Sequence, residues 1–211
     1  MTVCCVKARP AYDHHYVNRL QAMVAHHMSL PHRFVCFTDD PSGIKCPTRA
    51  LPSGLTGWWA ELALHRPNVL SGPVLYLDLD TVILDSLDFI ASYGGDFSIL
   101  RDFYRPDGYG SGVMLWRTAQ PQVWNRWIAE GRPDNHHGDQ GWMEEAVPNA
   151  DRLQDVFPGK FCSFKADECD DGAPVDAAVM CFHGYPKPHE LPETHWAYRL
   201  WAGEKVGEWI S

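Results

Sequence analysis

Apolar and polar positions along the chain switch between strand-like and helix-like periods, and each switch marks an element. Residues Thr2–Lys7 form an apolar run of strand length. Over residues 12–28, Tyr16, Leu20, Met23, Val24 and Met28 recur at the spacing of one helix face, and Pro31 closes the segment. A second strand is predicted at 33–37, followed by the turn cluster Thr38-Asp39-Asp40-Pro41-Ser42-Gly43. Gly57–His65 reads as a helix stopped before Pro67, and Val74–Leu77 as a buried third strand. Further strands are expected at 96–100 and 111–116, and a helix at 120–130 with a Trp124/Trp127/Ile128 face. A short helix at 139–146 holds Asp139 and Gln140 in its first turn. Beyond Pro148 the pattern loosens, with strands at 161–164 and 178–182. The tail, 193–210, reads as a helix that packs Trp196, Leu200 and Trp201 onto the body.

This β-α-β-α-β order predicts an α/β fold with a Rossmann-like, mostly parallel central sheet flanked by helices. Ligands of such sheets bind beyond the carboxyl ends of the strands. The first three strands end at Lys7, at Thr38-Asp39-Asp40 and at Asp78-Leu79-Asp80, so polar side chains converge on one crevice. If the third strand stays extended, Asp78 and Asp80 point to the same face. Two convergent carboxylates repel unless a cation or a shared proton lies between them. A hard divalent ion, Mn²⁺ or Mg²⁺, suits that donor set and keeps positions open for substrate phosphates. A lone Asp-x-Asp is also common at solvated loop starts, so the pair needs support from the rest of the chain.

Composition narrows the choice. The 211 residues fit a single domain spanning 1–211, and 45% hydrophobic with 12% aromatic residues suffices for a packed core. A net charge of −9 argues against a dominant polyanion-binding surface, while Lys7, Arg9 and Lys187 still allow a local basic pocket. Seven cysteines, without a C-x-x-C spacing, suit reduced, buried thiols of a cytoplasmic protein rather than a structural zinc site. No signal peptide is read at the start, and no apolar run reaches the ~20 residues of a membrane span.

Three ordered segments carry a resemblance: Val74-Leu75-Tyr76-Leu77-Asp78-Leu79-Asp80, then Gly110-Ser111-Gly112-Val113-Met114-Leu115-Trp116, then Cys181-Phe182-His183-Gly184-Tyr185-Pro186-Lys187-Pro188. In this order they resemble nucleotide-sugar glycosyltransferases of the GT-A fold, the family 8 and glycogenin-like enzymes in particular. The resemblance runs from about Val3 to His189. It implies a nucleotide-binding half at 1–100, an acceptor half with a closing His/Lys loop at 101–190, and a C-terminal helical extension at 191–211. It also implies that Asp78, Asp80 and His183 bind Mn²⁺ (or Mg²⁺), which holds the diphosphate of a nucleotide-sugar donor such as a UDP-sugar. Gly184 and Lys187 match a Gly-x-x-Lys-Pro element that contacts the donor phosphates, and Lys7 joins them in the donor site. Asp139 and Gln140 match an Asp-Gln segment beside the reacting sugar, and Asp102 is a further candidate for donor or acceptor hydroxyls. Transfer with retention is implied. His183 directly precedes Gly184, a tighter spacing than the family's, and Glu61 stands where relatives carry a basic residue.

Two other readings compete. Asp78 and Asp80 also fit a phosphatase of the haloacid dehalogenase type, with Asp78 as nucleophile, although two βα units precede the pair here. A nucleotide-sugar-binding protein without catalysis is the other. The acceptor is open among glycans, lipid-linked intermediates, small molecules, proteins and modified nucleic-acid bases.

Overall fold

The structure is a computed structural model that describes residues 1–8, 10–134 and 137–203. Strand β1 (Thr2–Lys7) is buried along its whole length. It lies between β2 (Arg33–Thr38) and β4 (Val74–Leu77), parallel to both, so its two faces each meet a layer of helices. A three-residue β3 (Thr48–Ala50) extends the sheet beyond β2. On the other side β4 pairs antiparallel with β7 (Tyr109–Trp116), which pairs in turn with β6 (Phe97–Arg101), and β8 (Asp151–Arg152) closes that edge. The order β3-β2-β1-β4-β7-β6-β8 makes β7 the single reversed strand of an otherwise parallel sheet.

Alternation along the strands divides the core. Val3, Cys5, Leu75 and Leu77 face α1 (His14–His27), whose Tyr16, Val17, Leu20, Met23 and Val24 form the buried stripe. Asp13 caps that helix by accepting the His15 N–H at 2.9 Å. On the opposite face, Cys4, Val6, Val74 and Tyr76 meet the segment Gly57–His65 together with α2 (Pro121–Ala129) and α3 (Gly138–Ala146). Gly57–His65 is a 3₁₀ rather than an α-helix. The apolar face of α2 is Val123 and Trp127, not the expected Trp124/Trp127/Ile128 triplet. Ile128 is exposed, and Trp59 stacks on Trp127 at 5.6 Å.

A second sheet, of three short strands, was not expected. β5 (Thr81–Ile83) pairs antiparallel with β10 (Val179–Cys181), which pairs parallel with β9 (Phe161–Ser163). A one-turn helix, α4 (Leu153–Val156), precedes β9. The expected 193–210 helix is α5 (Trp196–Ala202), ended by Gly203 in the left-handed conformation; residues 204–211 lie outside the described residues. Trp201 is buried against Tyr16, with the Arg19 guanidinium 3.7 Å from its ring centre. All seven cysteines are buried and unpaired. Among the described residues no helix is long and apolar enough to cross a membrane.

Candidate active site

The site forms where β4 ends. The antiparallel ladder runs one residue past the strand, through the Asp78 N–H donating to the Gly112 carbonyl at 2.8 Å. There the chain leaves the extended conformation: the Thr81 N–H donates to the Asp78 carbonyl at 3.1 Å, closing a turn over 78–81. The two aspartates therefore do not converge by strand alternation, as the sequence predicted. The turn directs them to different partners while both remain on one cavity of about 310 Å³. Asp78 accepts the Tyr76 hydroxyl at 2.5 Å. Asp80, 5% exposed, accepts the Tyr12 hydroxyl at 2.8 Å and the Lys187 ammonium at 2.5 Å. Leu79, between them, points into the core.

Gly112 accommodates this approach. A Cβ there would lie 3.3 Å from Asp78 Oδ2, so even alanine would press on the carboxylate. Burial, and then repulsion by Asp80, push the Asp78 pKa up to about 7. Burial is also the largest reason that the Tyr12 and Tyr76 hydroxyls stay protonated, the neighbouring aspartates adding to it. Each phenol is thus a hydrogen-bond donor to a carboxylate.

A second acid cluster stands behind the cavity. Asp139, in the first turn of α3, is 4% exposed and hydrogen-bonded with the Ser111 hydroxyl, with Glu61 and with the N–H groups of the turn. Glu61 comes from the 3₁₀ segment, and its Oε2 is buried without a partner. Burial, then repulsion by Asp139 and Asp78, hold the Glu61 carboxyl well above its ordinary pKa. Asp139 is raised too, chiefly by burial. Two touching carboxyls with no cation between them share a proton, so Glu61 is the neutral member. An acid raised on folding costs stability as pH climbs from the unfolded value towards the folded one, because the folded chain must take up a proton. Glu61→Gln keeps the shape without that demand. It is expected to stabilise the protein more at pH 8 than at pH 5, read from melts at both pH values.

The third component arrives from β10. Cys181 is the ladder partner of Thr81, and this carries Phe182 and His183 over the 78–80 turn. The His183 ring stacks on Phe103 at 5.5 Å, meets Tyr104 edge-on at 5.3 Å, and is hydrogen-bonded through Nε2 with Ser163 Oγ at 3.1 Å. Burial lowers its pKa, with Asp80 and Asp102 pulling the other way.

Of the residues singled out from sequence, Asp78, Asp80, Asp102, Gln140 and His183 line the one cavity. Lys187 reaches it through Asp80, and Asp139 lies behind Ser111. Asp102 is also a turn residue: it accepts the N–H groups of Tyr104 and Arg105 and the Arg105 guanidinium. Burial pushes its pKa up, but these donors outweigh it and leave the value lowered. Lys7 is buried at the end of β1, donating to the Asp40 carbonyl at 3.3 Å, and Gly184 takes a left-handed turn at φ 69°; neither lines the cavity. Arg9 lies outside the described residues. Sequence reasoning missed Tyr12, Ser111, Arg105 and Tyr76. The last had a readable signal, since it sits two residues before Asp78 on the same strand face.

Among the described residues no three His, Cys, Asp or Glu side chains gather closely enough to enclose a metal ion. The donor set that suits a hard divalent cation is the two carboxylates, Asp78 and Asp80, on an open cavity that leaves room for substrate oxygens and water.

No protein-family model and no curated protein matches the chain by sequence. Solved structures do match it. The galactosyltransferase LgtC, in complex with donor and acceptor sugar analogs, is 17% identical over 99% of this chain and 98% of its own, with a TM-score of 0.65. The glycosyltransferase GlyE of Streptococcus pneumoniae TIGR4 is 14% identical over 95% of this chain and 60% of its own, at 0.67. The bifunctional glycosyltransferase WbbM is 11% identical over 94% and 48%, at 0.64. The chain has the fold of GT-A glycosyltransferases.

Proposed function

We propose that this protein is a metal-dependent glycosyltransferase that moves a sugar from a nucleotide-sugar donor, a UDP-sugar, to an acceptor hydroxyl with retention of configuration. The observation that carries this reading is the acid pair at the end of the central strand, with Lys187 on Asp80, lining the cavity of a glycosyltransferase fold.

In this reading Asp78 and Asp80 would hold Mn²⁺ or Mg²⁺, with His183 turning from Ser163 to complete the set, and the ion would supply positive charge for the diphosphate as the glycosidic bond breaks. Lys187 turns from Asp80 to the phosphates, Gly184 lets the backbone approach them, and Lys7 adds positive charge from the end of β1. Asp139 and Asp102 orient sugar or acceptor hydroxyls, and Gln140 stands against the anomeric carbon. The acceptor oxygen bonds to that carbon on the face the diphosphate leaves, and the acceptor proton passes to the departing phosphate oxygen. The seven buried thiols support a cytoplasmic setting. The phosphatase reading loses its motivation, because its signature opens its own fold whereas here the pair follows the fourth parallel strand of a glycosyltransferase fold.

The test is a calorimetric titration of UDP, with GDP and TDP as comparators, with and without Mn²⁺. Binding of UDP that requires Mn²⁺ is expected. Equal binding without the metal, or no nucleotide binding together with phosphate release from a phosphomonoester, would overturn the proposal. Donor binding without turnover on any acceptor would favour the non-catalytic reading.

A further inference from the structure

The proposed reaction leaves its acceptor unspecified, and the mouth of the cavity narrows it. Among the described residues the large aromatic side chains exposed to solvent are Trp58 (58%), Tyr104 (58%) and Tyr185 (72%). All three stand at the catalytic end of the sheet. Tyr104 lines the cavity, its edge contact with His183 fixing the ring while more than half of its surface stays open. Trp58 packs beside Gly138, where a Cβ would come within 3.5 Å of Nε1, and the preceding residue, His137, lines the cavity. Tyr185 follows Gly184 in the loop that brings Lys187 to Asp80.

The pair Trp58-Trp59 shows that this exposure is selective. Trp59 is half-buried and stacks on Trp127, while its neighbour is turned out to water. Leaving an indole exposed forgoes the gain of burying it, and large apolar groups beside a cavity mark a binding surface. The rings are separate from one another, with Asp102, Arg105, His137 and Gln140 on the cavity wall beside them. Flat apolar faces set among hydrogen-bonding groups match a ring that is itself apolar on its C–H face and polar at its edge. A lipid chain would need a continuous apolar strip. A polynucleotide also stacks on aromatics, but it would bring phosphates towards Asp78, Asp80, Asp102 and a chain of net charge −9.

We propose that Trp58 and Tyr104 form an acceptor platform on which a pyranose ring of a saccharide stacks at the cavity mouth, presenting its hydroxyl to the site. The proposal rests on the transferase reading. It is tested with the full chain by saturation-transfer NMR and tryptophan fluorescence, using lactose, maltose and cellobiose as probes, with and without UDP and Mn²⁺. At least one disaccharide is expected to receive saturation from aromatic protons and to quench fluorescence, with affinity lowered about tenfold in Trp58→Ala and in Tyr104→Ala. Trp58 is exposed, so its loss spares the core, and UDP titration of the same variants reads the donor site separately. Disaccharide binding indifferent to both substitutions would overturn the platform. So would the absence of any disaccharide signal while Mn²⁺-dependent UDP binding persists, or binding of a single-stranded oligonucleotide that both substitutions abolish. Failure of UDP binding alone strikes at the donor assignment instead, since saccharide contact is read without nucleotide too.

Discussion

Asp80→Asn is expected to lower turnover by ~10³-fold or more and to remove Mn²⁺-dependent UDP binding, a loss of about 4 kcal/mol of transition-state stabilisation. The substitution keeps the shape of the side chain and an oxygen for the Tyr12 hydroxyl, but it removes the charge that Lys187 and the proposed cation both need. Asp78 does not compensate. Burial, which the substitution leaves in place, is the largest reason its pKa is raised, and its carboxylate is taken by the Tyr76 hydroxyl. Steady-state rates at saturating donor, with calorimetric titration of UDP, measure both parts of the effect. Thermal melts check that the fold persists. Unchanged donor affinity and metal dependence in this variant would sink the assignment of Asp80.

Lys187→Ala is expected to have effects of opposite sign on two ligands. The ammonium is one-fifth exposed and makes its ion pair with an almost buried carboxylate, so the charge is little screened by water. Without it the donor diphosphate loses a charge-assisted contact, and kcat/KM is expected to fall by ~10²-fold, about 2.7 kcal/mol. Mn²⁺ offered alone should bind more tightly, because Asp80 is released from a competing cation. Lys187→Arg should rescue poorly, since a planar fork cannot reproduce a compact point charge in this position. Manganese titration without nucleotide, set beside donor kinetics, reads the two signs. A loss in both would mean that Lys187 only supports the structure of the loop.

How far the fold could be read in advance depended on how much each residue's neighbours lie nearby in sequence. Thr2–Lys7, α1 and Val74–Leu77 announce themselves because a continuous apolar run or a 3.6-residue stripe reports burial directly. Of the second sheet, β9 and β10 were expected as strands at 161–164 and 178–182, whereas β5, with three residues, and β8, with two, are too short for a period. The reversal of β7 is invisible in composition, as its buried residues suit either direction. In the site, the ordered motifs located Asp78, Asp80, His183 and Lys187, but their partners were hidden. Tyr12 meets Asp80 across 68 residues. Nothing in the identity of Glu61 indicates that it will be pressed against Asp139. The turn at 78–81 defeated the alternation rule because a backbone hydrogen bond to Asp78 bends the chain where the rule assumes it straight.

The ladder between Thr81 and Cys181 has a consequence for how the molecule is made. The acid half of the site is synthesised early, while Lys187, its counter-charge, follows 107 residues after Asp80. A chain emerging from the ribosome therefore carries the aspartates for many seconds without their partner, at synthesis rates of about 5–20 residues per second. The early sheet of β1, β2 and β4 can assemble in that interval, but the site cannot close until β10 finds β5. Maturation of the site should be among the last steps of folding, with a rate set by a long-range loop closure.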